Sequence, residues 1–186
     1  MSTTTIVLIV VALIILWVVS AYNRLVTLVN QAKEAWSDIA VQLKRRYDLI
    51  PNLVETVKGY AKHESSAFEN VTKARAVAMG ATSSSDKAQA ENQLSGALKT
   101  LFAVSEAYPE LKANQNFLQL QKELGDTEDK IQSARRFYNT TVMALNTAEQ
   151  SFPGNIVASS FGFKSMELFE LAAADAAAVN PVAVKF

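Results

Sequence analysis

Catalysis in this chain has few residues to draw on. The one histidine, His63, sits in His63-Glu64-Ser65-Ser66 and lacks the second histidine that a zinc-protease helix places four residues on. It reads as a surface or rim residue. Glu123, Asp126, Glu128 and Asp129 crowd one stretch. A di-metal carboxylate site needs a Glu-x-x-His pair from each of two helices, which a single histidine forbids. Cysteine is absent, which removes thiolate nucleophiles, disulfides and Cys-based metal sites. No glycine-rich loop opens a helix, so no phosphate cradle is visible. Ser83-Ser84-Ser85 has no base nearby in sequence and reads as linker. We therefore expect no catalytic residue, no metal and no cofactor. Eighteen Lys and Arg against eighteen Asp and Glu give no general attraction to nucleic acid.

Two polar groups remain. Lys44, Arg45 and Arg46, with Asp48 and Pro51 behind them, form a candidate partner-docking tip. The plain alternative is solvated helix surface. Glu128 and Arg135, seven residues apart, lie two turns apart on one helix face, and Asn139 and Asn146 extend the line. This is a candidate structural stripe that fixes helix register.

The elements that must position these groups are helices. Six Gly and four Pro are poor material for a many-turned sheet. Residues 3–22, TTTIVLIVVALIILWVVSAY, carry no charge, and about 20 apolar residues cross a bilayer. Trp17 and Tyr22 lie toward one end, where rings favour the headgroup layer. Val19-Ser20-Ala21 also has the spacing of a signal-peptidase site, but no cation precedes the apolar run. A retained anchor is expected, with release by cleavage after Ala21 as the alternative. Arg24 and Lys33 follow the span and no basic side chain precedes it, so the positive-inside rule favours a cytoplasmic C-terminal domain.

Beyond the span, Tyr22, Leu25, Val29, Ala32, Trp36, Ile39 and Leu43 alternate by three and four. The seam slips at Arg46, and Tyr47 takes over. The Pro51 region predicts a reversal or kink. A second seam runs from Leu53 to Ala78, a third from Ala90 to Tyr108, and a fourth from Phe117 to Phe152 without a slip. Phe152-Pro153-Gly154 closes the fourth. The fold expected is all-α: an N-terminal transmembrane helix continuous with an antiparallel four-helix bundle of long helices. Residues 1–22 form the anchor, 23–151 the bundle, 152–171 an apolar membrane-proximal segment and 172–186 an Ala-rich tail. In the third of these, Phe152, Phe161, Phe163 and Phe169 either join Trp17 and Tyr22 at the membrane interface or cap the open end of the core.

Several blocks together resemble the LemA family: Tyr22-Asn23-x-Leu25-Val26, Ala35-Trp36-Ser37-Asp38-Ile39, VQLKRRYDLIPNLVETVKGYAKHE from Val41, ELGDTEDKIQSARRFYN from Glu123, and FPGNIVASSFGF from Phe152. The likeness covers about residues 20–165, in order. It implies a membrane-attached antiparallel bundle with no known enzymatic activity. It also implies protein partners, among them membrane zinc metalloproteases for which such a protein would be an adaptor. Some relatives carry a lipoprotein cysteine before the Tyr-Asn motif and lie outside the cytoplasm, whereas Ser20-Ala21 stand here. The side of the membrane is thus open. The expectation is a single-pass bacterial membrane protein that contacts lipid through its first helix, serves as scaffold or adaptor, and self-associates into a homo-oligomer.

Overall fold

An apolar run that passes into a heptad seam with no breaker should give one helix. In the computed structural model, which describes residues 2–170, α1 spans Thr3–Lys58. It is followed by α2 (Ser65–Gly80), α3 (Ser84–Ser105), the single turn α4 (Pro109–Lys112), α5 (Gln115–Gln150) and α6 (Gly154–Phe161). No strand occurs among the described residues. The Ala-rich tail at 172–186 lies outside them.

Pro51 does not turn the chain. It stands inside α1, and the turn falls at Gly59–Glu64. A mid-helix proline orphans the carbonyl four residues back, here that of Tyr47. Arg75 of α2 donates from Nε to this oxygen at 2.8 Å. A side chain from another helix thus replaces the missing N–H, and the helix continues. The other breakers act near their expected places. Ser83 caps α3 by accepting from the Asp86 N–H at 3.0 Å. Pro109 opens α4, and Asn114 Oδ1 accepts from the Phe117 N–H at 3.1 Å to start α5.

The chain divides into two compact units. One takes residues 39–133. Here the end of α1, α2, α3 and the start of α5 follow one another through short connections, the pattern of antiparallel neighbours. Ile39, Leu43, Ile50, Leu53, Val57, Val71, Leu94, Leu101, Phe117 and Leu124 are buried. Burying each such side chain contributes about 1.5–3 kcal/mol. The third seam is shifted from the expected one: Leu98 and Ser105 are buried where Ala97 and Val104 are only half-buried.

The other unit takes the residues up to Asp38 and Ala134–Leu168. Its core is Leu25, Leu145, Val157 and Ala158, with Val18, Ala21, Leu28, Val29, Ala148, Phe163 and Met166 packed around it. Only α1 and α5 among the long helices enter this unit. In place of a third and fourth helix it uses α6 and the non-helical stretch after it. Two glycines allow this return. A Cβ on Gly154 would lie 2.8 Å from the Ala148 carbonyl oxygen, so α6 starts against bare backbone. Gly162, at φ +73°, closes α6 in the left-handed conformation, with the Phe163 N–H on the Ala158 carbonyl at 3.0 Å. The stretch is then fastened to α5. Asn146 donates to the Met166 carbonyl at 2.9 Å and accepts from the Met166 N–H at 3.0 Å. The Tyr138 hydroxyl donates to the Glu167 carbonyl at 2.9 Å.

Candidate functional site

In the 39–133 unit the polar residues converge on Arg46, which is 4% exposed. Arg46 Nη1 lies 3.3 Å from Glu91 Oε2 and 3.1 Å from Glu128 Oε2. Its Nη2 donates to Ser95 Oγ at 2.7 Å. The neighbouring Tyr47 hydroxyl meets the other oxygen of Glu91 and lies 3.3 Å from the Ala78 carbonyl. One cluster therefore joins α1, α2, α3 and α5, with Arg75 adding a second tie to Tyr47 through its carbonyl.

Burial raises the Glu91 carboxyl above the usual carboxylate range, outweighing the Tyr47 hydrogen bond and the Arg46 charge. Burial likewise raises the Tyr47 phenol, helped by its contact with the Glu91 carboxylate. Both Glu91 oxygens are engaged within the cluster, by Tyr47 and by Arg46. A groove of about 510 Å³ between α3 and α5, lined by Leu98, Lys99, Phe102 and Leu124, reaches Arg46 and Glu128. The guanidinium it meets already faces two carboxylates. No group of three or more metal-ligating side chains occurs among the described residues. This arrangement locks helices together. A buried pair of this kind is costly to break on one side, by about 3–5 kcal/mol.

The candidate docking tip is corrected by this geometry. Lys44 and Asp48 pair across one helical turn at 3.1 Å on the surface, and Arg45 is exposed. Arg46, however, is core. Pro51 is exposed but lies mid-helix, and the run ends about 18 Å short of the end of α1 by helical rise. The candidate stripe is divided. Glu128 belongs to the Arg46 cluster, while half-buried Arg135 and Asn139 lie in the other unit, where Asn146 makes the backbone clamp. Sequence reasoning missed Glu91, Ser95, Arg75 and Tyr47 as members of the site.

A signal for the cluster was present. Ile39, Leu43, Arg46, Ile50, Leu53 and Val57 continue the alternation of four and three without a slip, and all are buried. Arg46 occupies a seam position. So does Glu91 in the run Glu91, Leu94, Leu98, Leu101, Ser105. Opposite charges on two seams point to a buried pair.

In the other unit, the candidate membrane-interface residues fall into two sets. Trp17, Tyr22, Phe152 and Phe161 are exposed, Phe152 at 80%. Phe163 is half-buried; Phe169, which falls with the 39–133 unit, is fully buried and is not a surface contact. The Tyr22 ring packs edge-on against Phe161 at 4.8 Å and Phe163 at 5.6 Å. The two readings of this segment thus divide by residue: Val157 and Ala158 close the core while Phe152, Ile156 and Phe161 face outward. Residues Ile6–Leu16 of α1 are exposed throughout, and this helix is long and apolar enough to cross a membrane.

A helix of that kind that also carries part of a buried ion cluster defines an all-α protein with, among the described residues, one apolar segment of membrane-spanning length. The LemA family model matches residues 35–186, and the chain belongs to the LemA family. It is similar to the magnetosome protein MamQ of Magnetospirillum gryphiswaldense, with 27% identity covering 86% of this chain and 69% of the relative. It is also similar to the protein LemA of Metamycoplasma hominis, with 27% identity covering 80% of this chain and 68% of that protein. A MamQ protein of Paramagnetospirillum magneticum matches at 27% identity as well.

Proposed function

We propose that this protein is a membrane-anchored, non-enzymatic scaffold or adaptor that presents a rigid helical bundle to protein partners, a second copy of itself included. One observation carries the reading: a single unbroken helix holds both the exposed apolar run and the Arg46 cluster. Whatever docks on the bundle is thereby tied to the bilayer. The mutual pairing of Arg46, Glu91, Glu128 and Tyr47 supports a structural role for the cluster. The relatives' membership of one family and the name of the magnetosome relative fit a membrane location.

Retention of the anchor is part of this proposal. Val18 and Ala21 pack on the core cluster with Leu25, so cleavage after Ala21 would strip two residues from the packing around that core. The docking face is the exposed Lys44, Arg45 and Asp48 surface of α1. A photo-crosslinking side chain placed at Arg45 in the full membrane-inserted chain tests it. A discrete adduct that disappears on Lys44→Glu supports the reading. Absence of any adduct at this position and at neighbouring Val41 counts against it.

A further inference from the structure

A second cavity, of about 450 Å³, lies in the unit that takes α1 up to Asp38 and α5 from Ala134, between α1 residues 17–25 and the end of α5. Ala21, Leu25 and Ala148 give it apolar walls. Ser20, Thr147 and Ser151 supply hydroxyls, and Arg24 supplies the charge. No carboxylate lines it, and Arg24 makes no ion pair among the described residues. Trp17 and Phe152 stand at its edge, both exposed. The position follows from helical rise. Thr3–Asn23 is free of charge and rises about 32 Å, the thickness of a bilayer's hydrocarbon core. Arg24 is thus the first charge past the acyl region, at headgroup depth.

We propose that this cleft binds the phosphate headgroup of one anionic phospholipid, with Arg24 as the charge partner and the three hydroxyls as donors. The acyl chains of that lipid lie along the exposed apolar side of α1 below Trp17. Charge complementarity selects the occupant: a lone cation beside hydroxyl donors, open toward an apolar helix face, suits an anion that carries its own hydrocarbon. A second function of the anchor follows, since the protein would report or select the lipid composition around it. The inference rests on the membrane-anchored reading.

Trp36→Phe leaves Trp17 as the single tryptophan of the full chain. This variant is placed in phosphatidylcholine vesicles containing a small fraction of brominated phosphatidylglycerol, and separately the same fraction of brominated phosphatidylcholine. The expected result is quenching of Trp17 by the anionic lipid about fivefold above the zwitterionic one, the enrichment a single interfacial cation can supply. Arg24→Gln should remove the excess. Ser151→Phe, which keeps the charge and fills the cleft, should remove it too. Equal quenching by both lipids overturns the proposal while leaving the anchor intact. Loss in Arg24→Gln with full retention in Ser151→Phe also overturns it, because the effect would then be surface attraction without the cleft. Equal quenching by both lipids together with saturable binding of inorganic phosphate that Arg24→Gln and Ser151→Phe abolish would assign the cleft to a free anion and overturn the lipid. Failure of wholly brominated phosphatidylcholine to quench Trp17 at all, with no vesicle flotation, would instead sink the anchored reading itself.

Discussion

The two units of this chain solve the same packing problem with different chemistry. Residues 39–133 bring four helices together around Arg46, Glu91 and Tyr47, a charged knot with an aliphatic core on either side of it in sequence. The unit containing residues 134–168 closes around Leu25, Leu145, Val157 and Ala158. Two of its polar ties run to backbone, from Asn146 to Met166 and from Tyr138 to Glu167. A charged knot is specific: it fixes which residues meet, because a slip would bury an unpaired charge. An apolar cluster such as Leu25, Leu145, Val157 and Ala158 specifies register less sharply and suits a region that contains an apolar span. Register is thus enforced around Arg46, while apolar surface is kept on the first part of α1.

That contrast can be broken most directly at Arg46. Arg46→Met strands Glu91 and should cost about 3–5 kcal/mol in chemical unfolding of the full chain in micelles. Adding Glu91→Met should recover most of the loss, as apolar replacement of a whole buried pair commonly does. If the single change costs nothing, the knot is not what holds register. In the other unit, Leu145→Ala should cost about 2–4 kcal/mol through a cavity, with no recovery available from a charge partner.

The next effect is smaller and depends on pH. The Glu91 carboxyl is raised in the folded state, so the native protein holds its proton more tightly than the unfolded chain does. Its titration contributes stability that is fully present below the ordinary carboxylate value and is lost as pH rises through the raised one. Glu91→Gln should flatten that slope at a cost of about 1–2 kcal/mol near neutrality. A pH profile of the unfolding midpoint that keeps its slope in the variant would assign the titration elsewhere. Asn146→Ala should cost about 1 kcal/mol, and its mark should be faster amide exchange at Met166, since the clamp holds that N–H.

The smallest effect concerns Pro51. Arg75→Ala should cost about 1 kcal/mol by leaving the Tyr47 carbonyl without its donor. In a Pro51→Ala background, which restores the backbone N–H, the same change should cost close to nothing. Equal costs in both backgrounds would mean that Arg75 acts through some other contact.

These residues also mark where the sequence could be read. The seam of α5 from Phe117 to Leu145 was legible because its apolar alternation has no interruption, and none of its members through Ala148 is exposed. The all-helical fold and the long first helix followed from the same periodicity. Pro51 misled because helix breaking is judged locally, whereas the compensating Arg75 arrives from another helix. Arg46 misled for a related reason. A basic triplet reads as solvated surface, and its partners Glu91 and Glu128 lie on helices that only the fold brings near. The four-and-three spacing from Ile39 to Val57 places Arg46 inside, although its charge resembles a slip in the pattern. The α6 return could not be read because it depends on one left-handed residue, Gly162, and one close approach, Gly154.

On the proposed reading the apolar start of α1 stays attached and holds the bundle at a membrane. Intact-mass measurement of the protein from carbonate-washed membranes tests it most directly. The expected result is a membrane-retained chain whose N-terminus lies upstream of Ala21. A chain beginning at Tyr22 and recovered in the soluble fraction would contradict it.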